Sequence, residues 1–427
     1  MSRHPVVHTP VEASEWAVRR RWFCLAELAD GIFDCPHSTP ELTADGPFLV
    51  RSQDIRTGFV DISKLAHVAE KTFLDRVSKA TPEEGDILYS REGTYFGIAA
   101  EIPKGLRVCL GQRMVLIRPK RSRLASRFLR YWLNSGILSR HLHGFRDGTV
   151  AERLNMPTIR AIPVPDFPLK EQQAIAAILG SLDDKIDLNR RINETLEAMA
   201  RAIFKDWFVD FGPTRAKMEG RAPYLAQEIW NLFPDALDDE GKPVGWEYRP
   251  VGDFAELRGG KQLEKEKIAA CGAIPVFGGA GIMGYTDSYN ADGFVIAVGR
   301  VGAYCGQFFA HRGRAWINNN ASLIRQRDQC NGEWLYCALR HADIDVIKKG
   351  AAQPFVSNTD VANLPIIWPG HATLSTLSKI LVPLMVKAEH NNAEIDSLAQ
   401  TRDFLLPKLM SGEIRVKDAE KAVGAVL

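Results

Sequence analysis

The chain has 427 residues, of which 45% are hydrophobic and 25% charged, and its formal net charge is +2. This length allows two or three domains, and the composition is that of an ordinary soluble globular protein. No apolar run reaches the roughly 18 residues of a membrane helix, and the N-terminal MSRHPVVHTP lacks a signal peptide's apolar stretch. The seven cysteines include no C-x-x-C pair, which indicates reduced thiols in the cytoplasm and neither a disulfide framework nor a zinc site.

A basic stretch stands out in the first half of the chain. Residues 104–160 contain thirteen Lys or Arg and only two acids, Asp147 and Glu152. Such a concentration is typical of a site for a polyanion, most often a nucleic acid. The plainer alternative is a solvated face of a slightly basic protein.

The two halves of the chain follow one plan. Matching segments occur in the same order in both: REGTYFG at 91–97 with RVGAYCG at 300–306, MVLIR at 114–118 with ASLIR at 321–325, and RFLRYWL at 127–133 with EWLYCAL at 333–339. In each half, short β-rich runs precede a short helical pattern near residues 125–140 or 332–342. Each half is therefore predicted to be a small mixed α/β unit, and the chain an internal repeat.

Each half ends in a long helical pattern. From Ile175 to Trp207 the stripe residues, apolar apart from two asparagines, recur in steps of three and four, which predicts a helix over residues 171–208 with a coiled-coil seam. The seam recurs 202 residues later, so that Asn189 corresponds to Asn391, although Pro383 is expected to disturb the second helix. The predicted seam residues are Leu182, Ile186, Asn189, Leu196, Leu384, Asn391, Leu398 and Leu405.

Packing the two helices against each other would bury both stripes and hold the two units apart, with Asn189 facing or neighbouring Asn391 and fixing the register. The alternative is a pair of ordinary core helices. The predicted fold is α/β (α+β), with two small mixed domains separated by two long antiparallel coiled-coil-like helices in a pseudo-two-fold repeat. The predicted segments are a first domain at 1–168, a helix at 169–211, a connector with a short helix around 225–232 at 212–250, a second domain at 251–372, a helix at 373–415 and a tail at 416–427.

The segment GAGIMG, Gly279–Gly284, matches the G-x-G-x-x-G dinucleotide fingerprint. That motif must open a helix and needs an acidic residue about 20 positions later for the ribose. Here a polar, turn-like YTDSYNADG follows, and no Asp or Glu occurs between Gly293 and Arg327. We interpret the match as fortuitous, and a nucleotide-cofactor enzyme is a remote alternative.

Catalytic motifs are missing from the sequence. Adenine methyltransferases need an Asn/Asp-Pro-Pro-aromatic turn, and the chain contains no Pro-Pro dipeptide. It also lacks the G-x-x-x-x-G-K-[ST] phosphate loop. His141 and His143 form an H-x-H without a nearby Cys or Glu, so no metal site is expected. The sequence thus predicts a protein that is not itself an enzyme.

Three segments carry a family resemblance. LKEQQAIAAILGSLDDKIDLNRRINETLEAMARAIFKDWFVDFGPTRAKMEG, residues 169–220, resembles the central conserved region of type I restriction–modification specificity subunits, and LAQTRDFLLPKLMSGEI, residues 398–414, resembles their distal conserved region. IPVFGGAGIMGYTD followed by VIAVGRVGAYCG is similar to a recurrent segment of their target-recognition domains. The resemblance covers nearly the whole chain. One departure is that the second helix opens with TLSTLSKILV, without the Glu-Gln of the first.

The resemblance implies a DNA-recognition subunit without catalysis. Each target-recognition domain would read one half of a split double-stranded DNA sequence, and the helices would set the gap and dock two modification subunits. Those modification subunits would carry S-adenosylmethionine and methylate adenine, and restriction subunits that translocate DNA could join the complex. This chain itself would hold no cofactor and contact no membrane. An alternative is the recognition subunit of a related bipartite system whose partner combines methyltransferase and nuclease.

DNA-binding candidates were chosen from turns that match between the halves and from the stretches near them. Arg and Lys supply phosphate contacts, while Arg can hold guanine and Gln adenine at base edges. Because Arg91 and Arg300 recur in both halves, a structural or phosphate-binding role is favoured for them over base reading. The candidates are Arg91, Tyr95, Arg113, Arg118, Arg146, Arg153, Arg300, Tyr304, Arg325, Lys348, Lys349 and Gln353.

Overall fold

The computed structural model describes residues 21–143, 153–327, 331–350, 353–424 and 427. The chain divides into two compact units, the first formed by Met1–Asn189 with Ala393–Leu427 and the second by Arg190–Asn392. Both boundaries fall inside long helices. Each unit therefore contains one mixed domain and a segment of each long helix.

The first unit is rich in short strands. Its strands are β1 (Trp22–Cys24), β2 (Ala29–Asp34), β3 (Thr43–Val50), β4 (Ile55–Arg56), β5 (Phe59–Val60), β6 (Ala66–His67), β7 (Ile87–Ser90), β8 (Ala99–Glu101), β9 (Val108–Leu110), β10 (Met114–Pro119) and β11 (Pro163–Pro165). Its short helices include α1 (Glu70–Arg76), α2 (Ser126–Leu133), α3 (Gly136–His143) and α4 (Met156–Arg160). The sheets have the orders β2-β10-β7-β8, β6-β3-β9, β1-β11 and β4-β5.

The long helix α5 (Leu169–Phe208) leads into the second unit. The strands there are β12 (Glu247–Pro250), β13 (Ala255–Gly259), β14 (Ile274–Gly278), β15 (Gly281–Thr286), β16 (Phe294–Gly299), β17 (Phe308–Arg312), β18 (Trp316–Ile317), β19 (Ala321–Gln326) and β20 (Pro365–Trp368). The helices that follow α5 are α6 (Gly212–Met218), α7 (Gln227–Trp230), α8 (Gly332–His341), α9 (Asn358–Ala362), α10 (His371–Ser411) and α11 (Val416–Gly424). The sheets have the orders β13-β19-β16-β17, β15-β14-β18 and β12-β20.

The two units share one topology. In the four-stranded sheets, β10 pairs antiparallel with β2 and β7, and β19 pairs antiparallel with β13 and β16. In the three-stranded sheets, β3 pairs parallel with β9 and β14 parallel with β18. The helices α2 and α8 follow the matching strands β10 and β19, as predicted. The predicted fold class, with two repeated mixed domains and two long helices, is confirmed.

The long helices pack on each other inside each unit. In the first unit Leu182 and Ile186 share a core with Leu398 and Leu405. In the second, Ala200, Phe204 and Trp207 share a core with Leu374, Leu377 and Leu381. The pairing is antiparallel, because in the first unit Asp183 contacts Arg402 whereas Asn189, further along α5, contacts Glu394. All eight predicted seam residues are buried or half-buried.

Three details differ from expectation. Asn391 bonds to Asn193, one turn beyond the expected Asn189, and Asn189 donates instead to Glu394 at 2.9 Å. The helix α10 runs without a break through Pro383. Leu377 and Leu381, which are buried in the two turns before the proline, hold that segment in the core. The connector contains two short helices, α6 and α7, where one was expected.

Candidate nucleic-acid interface

The most closely repeated feature is the loop after the third strand of each four-stranded sheet. Residues 91–97 join β7 to β8, and residues 300–306 join β16 to β17. The backbone hydrogen bonds agree: Gly97 to Ser90 at 2.8 Å and Phe96 to Gly93 at 3.0 Å in one, Gly306 to Gly299 at 2.8 Å and Cys305 to Gly302 at 3.0 Å in the other. Gly93 and Gly302 have φ values of 83° and 81°, a conformation that favours glycine. The fold thus places Arg91 and Arg300 at equivalent positions.

Arg91 and Arg300 differ in their partners. Arg91 Nη2 lies 3.4 Å from Asp34 Oδ1, and the Arg91 side chain is only 15% exposed. The strand register places Gly259 of β13 where Asp34 of β2 stands. Arg300 is partly buried, and among the residues that the structure describes it has no ion pair. The Nε atoms of both arginines are buried without a hydrogen-bond partner, so the two differ only in the carboxylate.

A second pair of equivalent arginines shows the same difference. Arg118 Nη2 lies 2.8 Å from Oδ2 of Asp86, which is 1% exposed, and this hydrogen bond raises the pKa of the Arg118 guanidinium. The register places Val295 where Asp86 stands. Arg325 is exposed and forms no ion pair within the described ranges. Two guanidinium groups that form ion pairs with carboxylates in the first unit therefore form none with the described residues of the second.

The fold balances part of the charge of the basic stretch at 104–160, and its interpretation as a polyanion site stays a prediction. Several of its arginines are neutralised by acids that lie outside the stretch in sequence and fold against it. These ion pairs are Arg107–Glu70, Arg113–Glu92, Arg118–Asp86, Arg127–Asp184 and Arg130–Asp183. A count along the chain cannot register acids brought in by the fold.

The remaining candidates of the first unit lie near the repeated loop. Tyr95 is half-buried, with its ring centroid 5.8 Å from the guanidinium carbon of Arg56. Arg113 has a φ of 67° and is 54% exposed, with Nε 3.4 Å from a Glu92 carboxylate oxygen. Arg153 is exposed and pairs with Glu92 through the backbone. Arg146 lies outside the described residues.

The candidates of the second unit are more exposed. Tyr304 is 51% exposed, and Lys348, Lys349 and Gln353 are also exposed. Lys349 Nζ lies 2.8 Å from Asp360, and its ammonium, together with a serine hydroxyl, holds the pKa of that carboxyl below its usual value. Lys348 pairs with an acid in its own turn at 2.7 Å. Arg300 and Arg325 differ from the two lysines in forming no ion pair within the described ranges, although Glu256 stands opposite Arg325 in the strand register.

The GAGIMG segment forms a β-hairpin. Gly278 of β14 pairs with Gly281 of β15, which leaves a two-residue loop, and Gly281 has a φ of 100°. The strand β15 follows where a dinucleotide fingerprint requires a helix. The glycines therefore serve a tight turn, in agreement with the sequence interpretation.

The hairpin exposes apolar side chains. Ile282 and Met283 are 54% and 49% exposed. In the first unit the strand β3 is followed by a different hairpin, β4–β5, in which Phe59 is 40% exposed. The sheet orders make β6 the counterpart of β15, so β4–β5 is an insertion between β3 and β6. The segments that follow β3 and β14 thus expose unlike side chains.

Asp183 connects the first domain to both long helices, a role that no sequence motif indicates. Its carboxylate accepts hydrogen bonds from Arg130 at 3.0 Å, Arg402 at 2.9 Å and the Tyr131 hydroxyl. Arg130 also donates to the carbonyl oxygen of Gly58, at the β4–β5 turn, at 2.9 Å. Burial raises the pKa of Tyr131, which keeps its hydroxyl protonated as a donor. Only the folded arrangement brings these groups together.

Gln172 accounts for part of the Glu-Gln difference between the two helix starts. It is buried, accepts a hydrogen bond from the Ala125 amide at 2.9 Å and donates to the Phe167 and Arg123 carbonyl oxygens. The residue at the same position of α10 is Leu374, which is buried among apolar side chains. The glutamine therefore bonds within its own unit.

The described residues contain neither a membrane-spanning helix nor a metal-ligand cluster. No helix there is long and apolar enough to cross a membrane. No group of three or more His, Cys, Asp or Glu side chains there is arranged to hold a metal ion.

The chain contains two homologous modules whose loops match and whose exposed side chains differ. This arrangement is that of a recognition protein with two recognition domains. Residues 43–198 and 243–398 each match the family described as the type I restriction modification DNA specificity domain. The chain belongs to this family.

Known proteins agree with this assignment. The chain is 26% identical to the type I restriction enzyme MjaIX specificity subunit of Methanocaldococcus jannaschii over 90% of this chain and 88% of that one. It is also 26% identical to the HindI specificity subunit of Haemophilus influenzae, over 84% and 94%. Its fold resembles the crystal structure of a type I restriction–modification S subunit from M. genitalium, with a TM-score of 0.59, 17% identity and coverage of 92% of this chain and 96% of that one.

Proposed function

We propose that this chain is the DNA-specificity subunit of a type I restriction–modification complex and that each unit reads one half of a bipartite DNA target. The observation that carries the proposal is the duplication itself: two copies of the specificity domain have the same sheets and the same arginine-bearing loop. The hairpins beside these loops expose different residues, Phe59 in one unit and Ile282 with Met283 in the other. A shared frame with different exposed side chains suits two different half-sites.

The long helices would set the gap between the half-sites and dock two modification subunits. Supporting this, their seam contains the buried asparagines Asn189, Asn193 and Asn391, which are hydrogen-bonded and favour a single register. Restriction subunits would join the same complex. The finished assembly would bind double-stranded DNA in the cytoplasm and contact no membrane.

The chain would contribute recognition and no chemistry. It lacks a Pro-Pro dipeptide and therefore the turn with which adenine methyltransferases hold the target amino group. S-adenosylmethionine would be bound by the modification subunits, and this chain would hold no cofactor of its own.

The test is DNA binding by the chain co-expressed with its modification subunits. We expect footprinting to show two protected half-sites separated by a fixed, unread gap, and affinity to fall steeply with salt. Protection of a single continuous site, or of no preferred sequence, would contradict the proposal.

A further inference from the structure

The two units differ in charge at a position that the fold repeats. Arg91 has Asp34 at 3.4 Å, whereas Gly259 occupies the Asp34 position beside Arg300. A Cβ added to Gly259 would lie 3.7 Å from Arg300 Nη1, so the position faces the arginine in the second unit too. The backbone hydrogen bonds of the loop are the same in both units, whereas the acid beside the arginine is present only in the first.

A partly buried guanidinium without an anion destabilises a fold, because charged groups are rarely buried unless they are paired. Arg300 forms no ion pair among the residues that the structure describes, whereas Arg91 has Asp34 beside it; the Nε of each arginine is buried without a partner. The glycines and backbone hydrogen bonds of residues 300–306 already define the loop, as they do in the first unit. The arrangement of Arg300 is therefore that of a group whose anion comes from another molecule.

The surroundings favour a negatively charged ligand. Gly259 lines a cavity of about 120 Å³ whose charged residues are Arg258, Lys261, Arg325 and Asp292. Arg325 has itself lost the acid that neutralises its counterpart in the first unit, since Val295 replaces Asp86. Glu256 is hydrogen-bonded to Arg258 and stands opposite Arg325 in the strand register, so with Arg300 four cations face two carboxylates, Glu256 and Asp292. That excess creates a positive potential that attracts a polyanion.

We propose that Arg300 binds a phosphate of the DNA backbone in the half-site read by the second unit, and that Arg91 makes no such contact in the first. The inference rests on the proposed function and assigns the two half-sites different numbers of phosphate contacts. A phosphate fits better than a base, because residues that read bases must differ between units with different targets, whereas this arginine recurs. The two Nη groups of an arginine can bind two phosphate oxygens at once.

The test measures binding of the subunit, assembled with its modification subunits, to a duplex carrying its methylated motif, as a function of salt. Each phosphate contact contributes about 0.9 to the slope of log affinity against log salt concentration. Arg300→Met should lower the slope by about 0.9, which corresponds to roughly eightfold weaker binding at 0.1 M salt and little difference at 1 M. The loss should be equal for cognate and unrelated sequences, and Arg300→Lys should retain most of the slope.

The matched variant restores the acid of the first unit. Gly259 has no positive φ, and its added Cβ meets Arg300 only at ordinary contact distance, so a side chain fits. Gly259→Asp should reproduce the loss of slope, while Gly259→Asn, of equal size but uncharged, should not. Gly259→Asp combined with Arg300→Met should bind like Arg300→Met alone, because the carboxylate acts only through that arginine. Arg91→Met should leave the slope unchanged.

An unchanged slope in Arg300→Met and Gly259→Asp would overturn the inference. So would a loss confined to one base pair of the motif, which would make Arg300 a base reader, or weaker assembly with the modification subunits at unchanged DNA affinity. These outcomes leave the proposed function intact, because that function fails only if the unaltered complex prefers no bipartite sequence. Melting curves of the Asn and Lys variants confirm that the second unit is folded.

Discussion

Asn391 Nδ2 donates a hydrogen bond to Asn193 Oδ1 at 2.8 Å, and the pair joins the two long helices inside the second unit. Asn193 donates in turn to Asn392 Oδ1 at 2.8 Å. The side chains of Asn391 and Asn193 are only 1% and 9% exposed. A buried polar pair in an apolar seam contributes less stability than leucine would, but it disfavours shifted registers, in which it would be left unpaired.

Replacing one asparagine should cost more than replacing both. Asn391→Leu leaves the Asn193 oxygen without its donor, for which we expect a loss of about 1–3 kcal/mol in the free energy of unfolding. Asn193→Leu with Asn391→Leu removes both polar groups and should recover much of that loss, while the gap of the recognised motif becomes less uniform. Urea unfolding of the single and double variants measures the coupling. If the two single losses simply add, the hydrogen-bonded pair does not act as a unit.

Removing the charge at Asp183 should loosen the first unit. Asp183→Asn leaves the guanidinium groups of Arg130 and Arg402 without their shared carboxylate, and breaking such a pair costs about 3 kcal/mol. The control is Asp184→Asn, whose partner is Arg127 and whose side chain is 64% exposed. That variant should lose about 1 kcal/mol or less. Equal effects of the two substitutions on urea unfolding would show that the buried cluster has no special role.

Substitution by alanine should affect stability differently at two glycines, Gly299 beside the GAGIMG hairpin and Gly279 within it. A Cβ at Gly299 would lie 2.4 Å from the Gly279 carbonyl oxygen and 2.5 Å from that of Tyr304, so Gly299→Ala must displace the backbone and should cost about 1–3 kcal/mol. A Cβ at Gly279 meets nothing nearer than 3.4 Å, and Gly279→Ala should change stability by about 0.5 kcal/mol or less. Thermal melting distinguishes them. A destabilising Gly279→Ala would mean that this glycine does more than shape a turn.

Exchanging the hairpins should change the DNA sequence recognised, one half-site at a time. Replacing residues 278–284 by the corresponding segment of the first unit removes the exposed Ile282 and Met283 and should alter only the second half-site. Phe59→Ser, at the β4–β5 hairpin, should affect only the first. Selecting the DNA that each variant binds from a library of randomised duplexes measures the sequence of both half-sites. An unchanged second half-site after the exchange would show that these glycines and their neighbours serve only the fold.

The sequence predicted the periodic and repeated features well. The spacing of the stripe residues, in steps of three and four, predicted both long helices. It also predicted their seam, whose residues, such as Leu182 and Leu398, are buried. The internal repeat predicted two mixed domains, and the missing helix signal after GAGIMG agreed with the hairpin. These predictions are correct because each feature is encoded either by neighbouring residues or by the similarity between the two halves of the chain.

What the sequence did not predict depends on residues that only the fold brings together. Asp86 and Asp183 lie outside residues 104–160 and neutralise Arg118 and Arg130, so a count of charges along that stretch overestimates its unpaired positive charge. The exchange of Asp34 for Gly259 lies in β2 and β13, IFDC and LRGG, which share too little to be aligned without the strand register. Likewise, the repeat matched Asn189 to Asn391, whereas antiparallel packing pairs Asn391 with Asn193.

The most direct test of the account is single-molecule methylome sequencing of cells with and without this gene. We predict that a methylated adenine motif consisting of two half-sites with a fixed gap is lost with the gene, and that a chain with the 278–284 exchange restores methylation with the first half-site and the gap unchanged and a new second half-site. Loss of a continuous motif, or no change in the methylome where the modification subunits are expressed, would contradict it.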